Sequence, residues 1–234
     1  MVAFQTTVCL LPLRGEIRLA QAATALIRPS SPRRAEMIRV AARLFSERGY
    51  HGTSMQHLGE ALGLLRGSLY AHIGSKEELL FEVVEDGADR FLERGRAAAG
   101  LDASAPERLA ALLVGHVETV NEHIDAATVF LNEWRYLSSE RRELIQAKRD
   151  DYERLVRHII EEGVSEGAFR RDLDVALSTR LVLSAANWTY TWYRPGGPLS
   201  AAEVGSSFAD QLVRGLRPSP NEKTQDKIRS DEEA

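Results

Sequence analysis

Three times the chain writes a serine followed three residues later by a glutamate at the head of an apolar run: Ser75-Lys76-Glu77-Glu78, Ser104-Ala105-Pro106-Glu107 and Ser200-Ala201-Ala202-Glu203. At that spacing the two side chains can each satisfy a backbone N–H that a helix start leaves unpaired, so each is a helix beginning. The intervals between them read as helix too. Ile38, Ala41, Ala42 and Phe45 form one face of a first helix over about 33–48, which Gly49 ends as a left-handed cap. Leu58, Ala61 and Leu62 mark a short second helix that begins near Thr53-Ser54 and turns at Gly63, and a third short helix follows over about 65–72. Leu79, Leu80, Val83, Val84, Phe91 and Leu92 give a long fourth helix as far as Gly100. Further helices are expected near 105–123, 126–137, 139–165, 173–193 and 200–216, with Gly167, Asp172 and Pro195-Gly196-Gly197-Pro198 as punctuation. The expectation is an all-α chain of about nine helices and no strand.

A length of 234 residues with 44% hydrophobic content suffices for a buried core. The single cysteine, Cys9, excludes an internal disulfide, and no Cys/His cluster has zinc-site spacing, so neither a metal nor a cofactor is expected and a reducing cytoplasm fits best. No apolar run approaches the ~18 residues of a membrane span. Met1 to Leu13 is apolar, but it lacks a basic start and runs straight into Arg14, Glu16 and Arg18, which makes a poor secretory signal. Residues 1–30 read as a flexible arm or an upstream extension. Residues 217–234 are rich in Pro, Asn, Lys, Asp and Glu and read as a disordered tail.

The net charge of −4 is divided unevenly. Residues 28–80 carry eight basic against five acidic side chains, a balance of +3, which leaves −7 for the rest. Screening limits the reach of the acidic part to roughly 10 Å at moderate salt, so a small basic segment still attracts phosphates locally. The stretch Leu65-Arg66-Gly67-Ser68-Leu69-Tyr70-Ala71-His72 contains no acid, as a helix entering a groove walled by phosphates requires. Leu69 and Ile73 would point inward, leaving Arg66, Gly67, Ser68, Tyr70 and His72 near the outer surface.

Two runs carry a family resemblance. Ile38-x-x-Ala41-Ala42-x-Leu44-Phe45-x-x-x-Gly49-Tyr50-x-x-Thr53-Ser54, followed by Ala61-x-Gly63-x-x-x-Gly67-Ser68-Leu69-Tyr70-x-His72-x-x-Ser75-Lys76-Glu77-x-Leu79, resembles the DNA-binding domain of the tetracycline-repressor (TetR) family over about residues 33–81. The resemblance implies a helix-turn-helix domain over 31–91, with its motif at about 54–73, and a helical ligand-binding and dimerisation domain over 92–216. It implies that Ser54 or Thr53 caps the second helix and donates to a phosphate, that Tyr70 lies against the DNA backbone, that His72 reaches the backbone or groove, and that Lys76 contacts a phosphate. Arg66 and Ser68, next to Gly67, are the candidates for reading base edges. Tyr70 also fits a rim of the core, Lys76 fits the capping box alone, and His51 and His57 read as solvated side chains. The sequence departs from the family pattern at Leu65, Leu58-Gly59, Ala71 and Ile73.

In the TetR family the last two long helices pair with their copies in a second subunit. Here Leu177, Leu181, Ala185, Trp188 and Trp192 make one stripe, and Val204, Phe208, Leu212 and Leu216 make another. The same spacing would also serve an internal core. Asn187 to Ser200 is similar to a TetR subgroup that regulates fatty-acid, aromatic-acid and steroid breakdown, several of whose members respond to acyl-CoA thioesters. His116, His123, Phe130, Trp134 and Tyr152 are the candidate ligand contacts, each of which also reads as core or surface. The implied function is a dimeric repressor released from palindromic operator DNA by a small molecule. The alternative is a helical interaction or architectural module that has lost operator specificity. Nothing in the sequence supplies paired carboxylates, a nucleophile with its base, or a phosphate-cradling loop, so no enzyme is expected.

Overall fold

The computed structural model describes residues 31–64, 70 and 73–219. The chain divides into two compact units, Met1–Met37 and Ile38–Ala234. Within the first, the described residues open a helix at Pro32, where Ser31 Oγ accepts the Arg34 N–H at 3.2 Å and Arg33 pairs with Glu36.

In chain order the described helices are α1 (Pro32–Gly52), α2 (Met55–Leu62), α3 (Lys76–Ala99), α4 (Ala105–Glu122), α5 (Ile124–Asn132), a 3-10 turn (Trp134–Tyr136), α6 (Ser139–Ser165), α7 (Val175–Asn187), the single-turn α8 (Thr189–Trp192) and α9 (Ala201–Leu216). No strand occurs among the described residues. No helix among them is long and apolar enough to cross a membrane, and none of their His, Cys, Asp and Glu side chains form a group that could hold a metal.

The three serine–glutamate starts hold, with one variation. Glu107 Oε2 accepts the Ser104 N–H at 2.9 Å, and Glu203 Oε2 accepts the Ser200 N–H at 2.7 Å. At α3 the serine accepts from Glu78 N–H at 3.0 Å, but the Glu78 carboxylate reaches back one residue further, to the Gly74 N–H at 3.1 Å. Glycine marks the ends of the first two helices. Gly63 caps α2 in the left-handed conformation (φ 62°, ψ 30°), and Gly49 (φ 72°, ψ 161°) breaks the helical path inside α1. The helix expected over 173–193 is interrupted at Trp188, and that expected over 126–137 ends at Asn132 and tightens into the 3-10 turn.

Helices α4, α5 and α6 pack on α3, and α9 packs on α4. Buried Leu79, Leu80, Val83, Val84, Phe91 and Leu92 form the inner stripe of α3. The approach of α9 to α4 depends on Gly205, because a Cβ there would lie 2.7 Å from Val114 Cα. Gly205→Ala should therefore force the two helices apart and cost about 1–3 kcal/mol in urea unfolding. Gly215, on the same helix with nothing within 4 Å, supplies the control: Gly215→Ala should be neutral or stabilise by up to about 1 kcal/mol.

Candidate nucleic-acid interface and interior cluster

Helix α2 starts at Ser54, whose Oγ accepts the His57 N–H at 3.1 Å while His57 Nδ1 accepts the Ser54 N–H at 3.2 Å. His57, expected to be merely solvated, thus completes a capping box in which imidazole stands where glutamate is usual. Thr53 requires a correction. It is fully buried, and its hydroxyl donates inward to the carbonyls of Leu44 (3.1 Å) and Gly49 (3.0 Å), so it has no proton to offer a phosphate. Tyr70 is helical and 44% exposed, and Ile73 is buried. Arg66, Gly67, Ser68 and His72 lie outside the described residues.

Lys76 begins α3, and its ammonium faces back into the fold. Nζ donates to the carbonyls of Tyr50 and Thr53, both at 2.9 Å, and lies 4.2 Å above the Tyr50 ring. The two carbonyls stand just past the Gly49 break; that of Tyr50 also accepts the Thr53 N–H at 3.3 Å, and Lys76 adds a charged donor to both. Partial burial holds the lysine below its ordinary pKa. Of the three ammonium donors, two are used this way. Lys76→Met should lower the unfolding free energy in the absence of DNA by about 1–2 kcal/mol, measured by urea denaturation. A lysine serving phosphate alone would leave that stability unchanged.

The junction beyond Gly49 is also held from the 3-10 turn. The Tyr50 N–H donates to Glu133 Oε2 at 2.8 Å, and the Tyr50 ring stacks with Tyr136 at 6.0 Å between centroids. His51 meets Tyr136 edge-on at 4.5 Å. The end of the turn is tied to α3, where Glu77 Oε1 accepts the Ser138 N–H at 3.0 Å. Hydrogen bonding from Ser138 holds Glu77 below the usual carboxylate range.

Four of the five expected ligand contacts come together. His116 on α4 and Tyr152 on α6 share a hydrogen bond (Nδ1 to OH, 3.1 Å), and the Phe91 ring on α3 lies 4.6 Å from His116 and 5.5 Å from Phe130 on α5. Arg149, one helical turn before Tyr152, places its guanidinium 5.2 Å from the Phe130 ring and 4.9 Å from Trp134. His123 stands apart at the junction of α4 and α5, with Nε2 3.0 Å from Arg90 Nη1. Two polar atoms in the cluster are buried without a partner: His116 Nε2 and Arg149 Nη1. Among the described residues no carboxylate pairs with Arg149, and burial draws its guanidinium pKa down. Arg149 has no signal in the sequence because it sits on a mostly polar stretch of α6, and only the fold reveals the two rings around it.

Burial pushes the His116 imidazole down from 6.5 to about 3. The unfolded chain therefore binds this proton over pH 3 to 6.5 while the folded chain does not, and stability falls as the pH falls through that window. The slope from this group should approach about 1.4 kcal/mol per pH unit and disappear in His116→Gln, read from urea unfolding across the range.

On α7 and α8, Leu177, Leu181, Trp188 and Trp192 expose 55, 58, 64 and 43% of their surface, and Ala185 between them is half-buried. The Trp192 ring reaches Phe208 at 6.1 Å, and Phe208 and Leu212 are half-buried. Val204 is the second correction. Together with Val117, Tyr193 and Ala201 it forms a buried cluster within this chain, so it faces inward rather than a partner.

Residues 37–83 match the family model described as bacterial regulatory proteins of the tetR family, and residues 102–216 match that of the tetracyclin repressor-like C-terminal domain. The transcriptional repressor KstR2 of Mycobacterium tuberculosis is 32% identical over 185 residues, covering 79% of this chain and 92% of that protein. The structure of a TetR family transcriptional regulator, PfmR from Thermus thermophilus, is 38% identical with a TM-score of 0.72, over 78% of this chain and 99% of that one. The structure of AibR in complex with isovaleryl coenzyme A and operator DNA is 30% identical with a TM-score of 0.70, over 80% of this chain and 98% of that one.

Proposed function

Because the chain belongs to the TetR family of DNA-binding transcriptional regulators, we propose that it acts as a homodimeric repressor that leaves a palindromic operator when an acyl-CoA thioester enters its helical body. The observation that carries the ligand reading is the unfinished polar chemistry of the interior. His116 Nε2 and Arg149 Nη1 are buried without partners inside a cluster of four aromatic rings. Leaving such groups unpaired costs about 1–3 kcal/mol each, more for a charge, and a ligand bearing a carbonyl and an anionic group would remove that cost. AibR, with its bound isovaleryl coenzyme A, supports the thioester class.

Dimerisation rests on the stripe from Leu177 to Trp192. Four large apolar side chains exposed along α7 and α8 exceed the scattered apolar exposure of an ordinary surface. Phe208 and Leu212 on α9 extend it, and Val204 supports it from beneath. In DNA contact, Ser54, Tyr70 and the third N–H of Lys76 position the protein on phosphates, while Arg66 and Ser68, beside Gly67, read base edges and His72 reaches the backbone or groove. The domains of this reading are 31–91 for DNA and 92–216 for ligand and partner, and the site of action is the cytoplasm.

Three measurements test the proposal. Light scattering should give a dimer at micromolar concentration, and Leu181→Lys should give a folded monomer, since the position is solvent-exposed within one subunit and the charge has only the partner face to disturb. DNA selected from a random pool should be an inverted repeat with half-sites roughly 34–36 Å apart or somewhat more. Adding short-chain, medium-chain or ring-bearing CoA thioesters should release it, whereas free CoA should not. A protein whose DNA binding and thermal midpoint ignore every thioester would sink the ligand class while leaving the regulator standing.

A further inference from the structure

Gly49 turns the backbone out of helical register (φ 72°, ψ 161°), so the Tyr50 N–H loses its acceptor along α1. Glu133 supplies the replacement from 83 residues away, at 2.8 Å. The Glu133 residue is 8% exposed, the other oxygen of its carboxylate accepts from Asn132 Nδ2 at 3.0 Å, and among the described residues it has no ion-pair partner. A buried carboxylate without a cation is costly unless hydrogen bonds compensate it, and here those from the Tyr50 N–H and Asn132 Nδ2 do so. What it fixes is the four-residue junction Tyr50–Thr53, whose carbonyls Lys76 holds from the other side and whose next residue, Ser54, starts α2. Two charged side chains that belong to neither helix, Glu133 and Lys76, thus brace the segment that leads from α1 into α2.

We infer that Glu133 is a positioning residue for DNA recognition: its bond to the Tyr50 N–H sets how the helix-turn-helix is presented, and the 3-10 turn beside it links that setting to the interior cluster. The inference rests on the DNA-binding reading, and its second half on the interior cluster being the ligand site. The link is physical. Trp134, the next residue, lies 4.9 Å from the Arg149 guanidinium, Tyr136 stacks on Tyr50, and Ser138 is bonded to Glu77 on α3. A molecule that draws Arg149 away from Trp134 removes a support from the turn that adjoins Glu133.

The test uses the full chain and an operator selected from random DNA by the unaltered protein. Glu133→Ala removes the acceptor, and Glu133→Gln keeps a carbonyl oxygen for the Tyr50 N–H. Glu133→Ala should bind the operator about tenfold more weakly and lose discrimination between the selected half-site spacing and spacings one base pair longer or shorter. Glu133→Gln should restore both to within about threefold. Loss of stability alone would lower affinity equally for every spacing, so the spacing preference separates positioning from folding. In the unaltered protein the Tyr50 amide should exchange slowly with deuterium although it stands at a helix break, and this reading holds even if Glu133→Ala fails to fold. The inference is overturned if Glu133→Ala keeps both affinity and spacing preference, if Glu133→Gln falls as far as Glu133→Ala, or if the Tyr50 amide exchanges as fast as an open loop. An unaltered protein that enriches no sequence defeats the DNA-binding reading itself, and the positioning role falls with it, whereas equal binding by the unaltered protein and its variants defeats only the latter.

Discussion

The body of the protein leans on α3, and α3 can carry it because two of its buried residues lack side chains. A Cβ on Gly87 would stand 2.9 Å from Phe130 Cβ, and one on Gly95 would stand 2.7 Å from Tyr152 Cε2. Those two glycines, on one face of the helix, let α5 and α6 settle against it, and Phe130 and Tyr152 are brought to Phe91 by that approach. Glycine inside a helix weakens it by about 1 kcal/mol relative to alanine, so the close packing must return more than it loses. The interior cluster and the α3 end that holds the Tyr50–Thr53 junction are consequences of one helix serving as a common wall.

The sequence is most legible where its signals are local. Ser104 with Glu107 and Ser200 with Glu203 each place a helix start within four residues, and the structure starts α4 and α9 there. The all-α class and family membership follow from such signals and from the spacing of Gly49, Gly63 and Tyr70. Even the box at Ser75 shows the limit of local signals, since the Glu78 carboxylate can choose between two neighbouring N–H groups and takes that of Gly74. His57 gives no such signal, because imidazole is an uncommon partner at that position.

Side-chain direction is far less legible. Thr53 and Ser54 are adjacent and chemically alike, yet one hydroxyl is sealed beneath Leu44 and Gly49 while the other caps α2 at the surface, a difference fixed by the backbone turn at Gly49. Val204 shares a helical stripe with Phe208 and Leu212, but Gly205 draws the start of α9 onto α4 and takes Val204 into the core. Helical periodicity gives a face without saying which neighbour covers it. Glu133 and Arg149 have no local signature at all, because each is defined by partners on other elements.

The bond from Glu133 to the Tyr50 N–H spans 83 residues and so has a consequence for how the protein is made. Synthesis at roughly 5–20 residues per second separates the two partners by about 4–17 seconds. During that interval the junction between α1 and α2 can gain its Thr53 and Lys76 contacts but not the one from Glu133. The bond to the Tyr50 N–H forms only after the segment carrying Glu133 has been made. A fragment released before that point would lack this bond altogether.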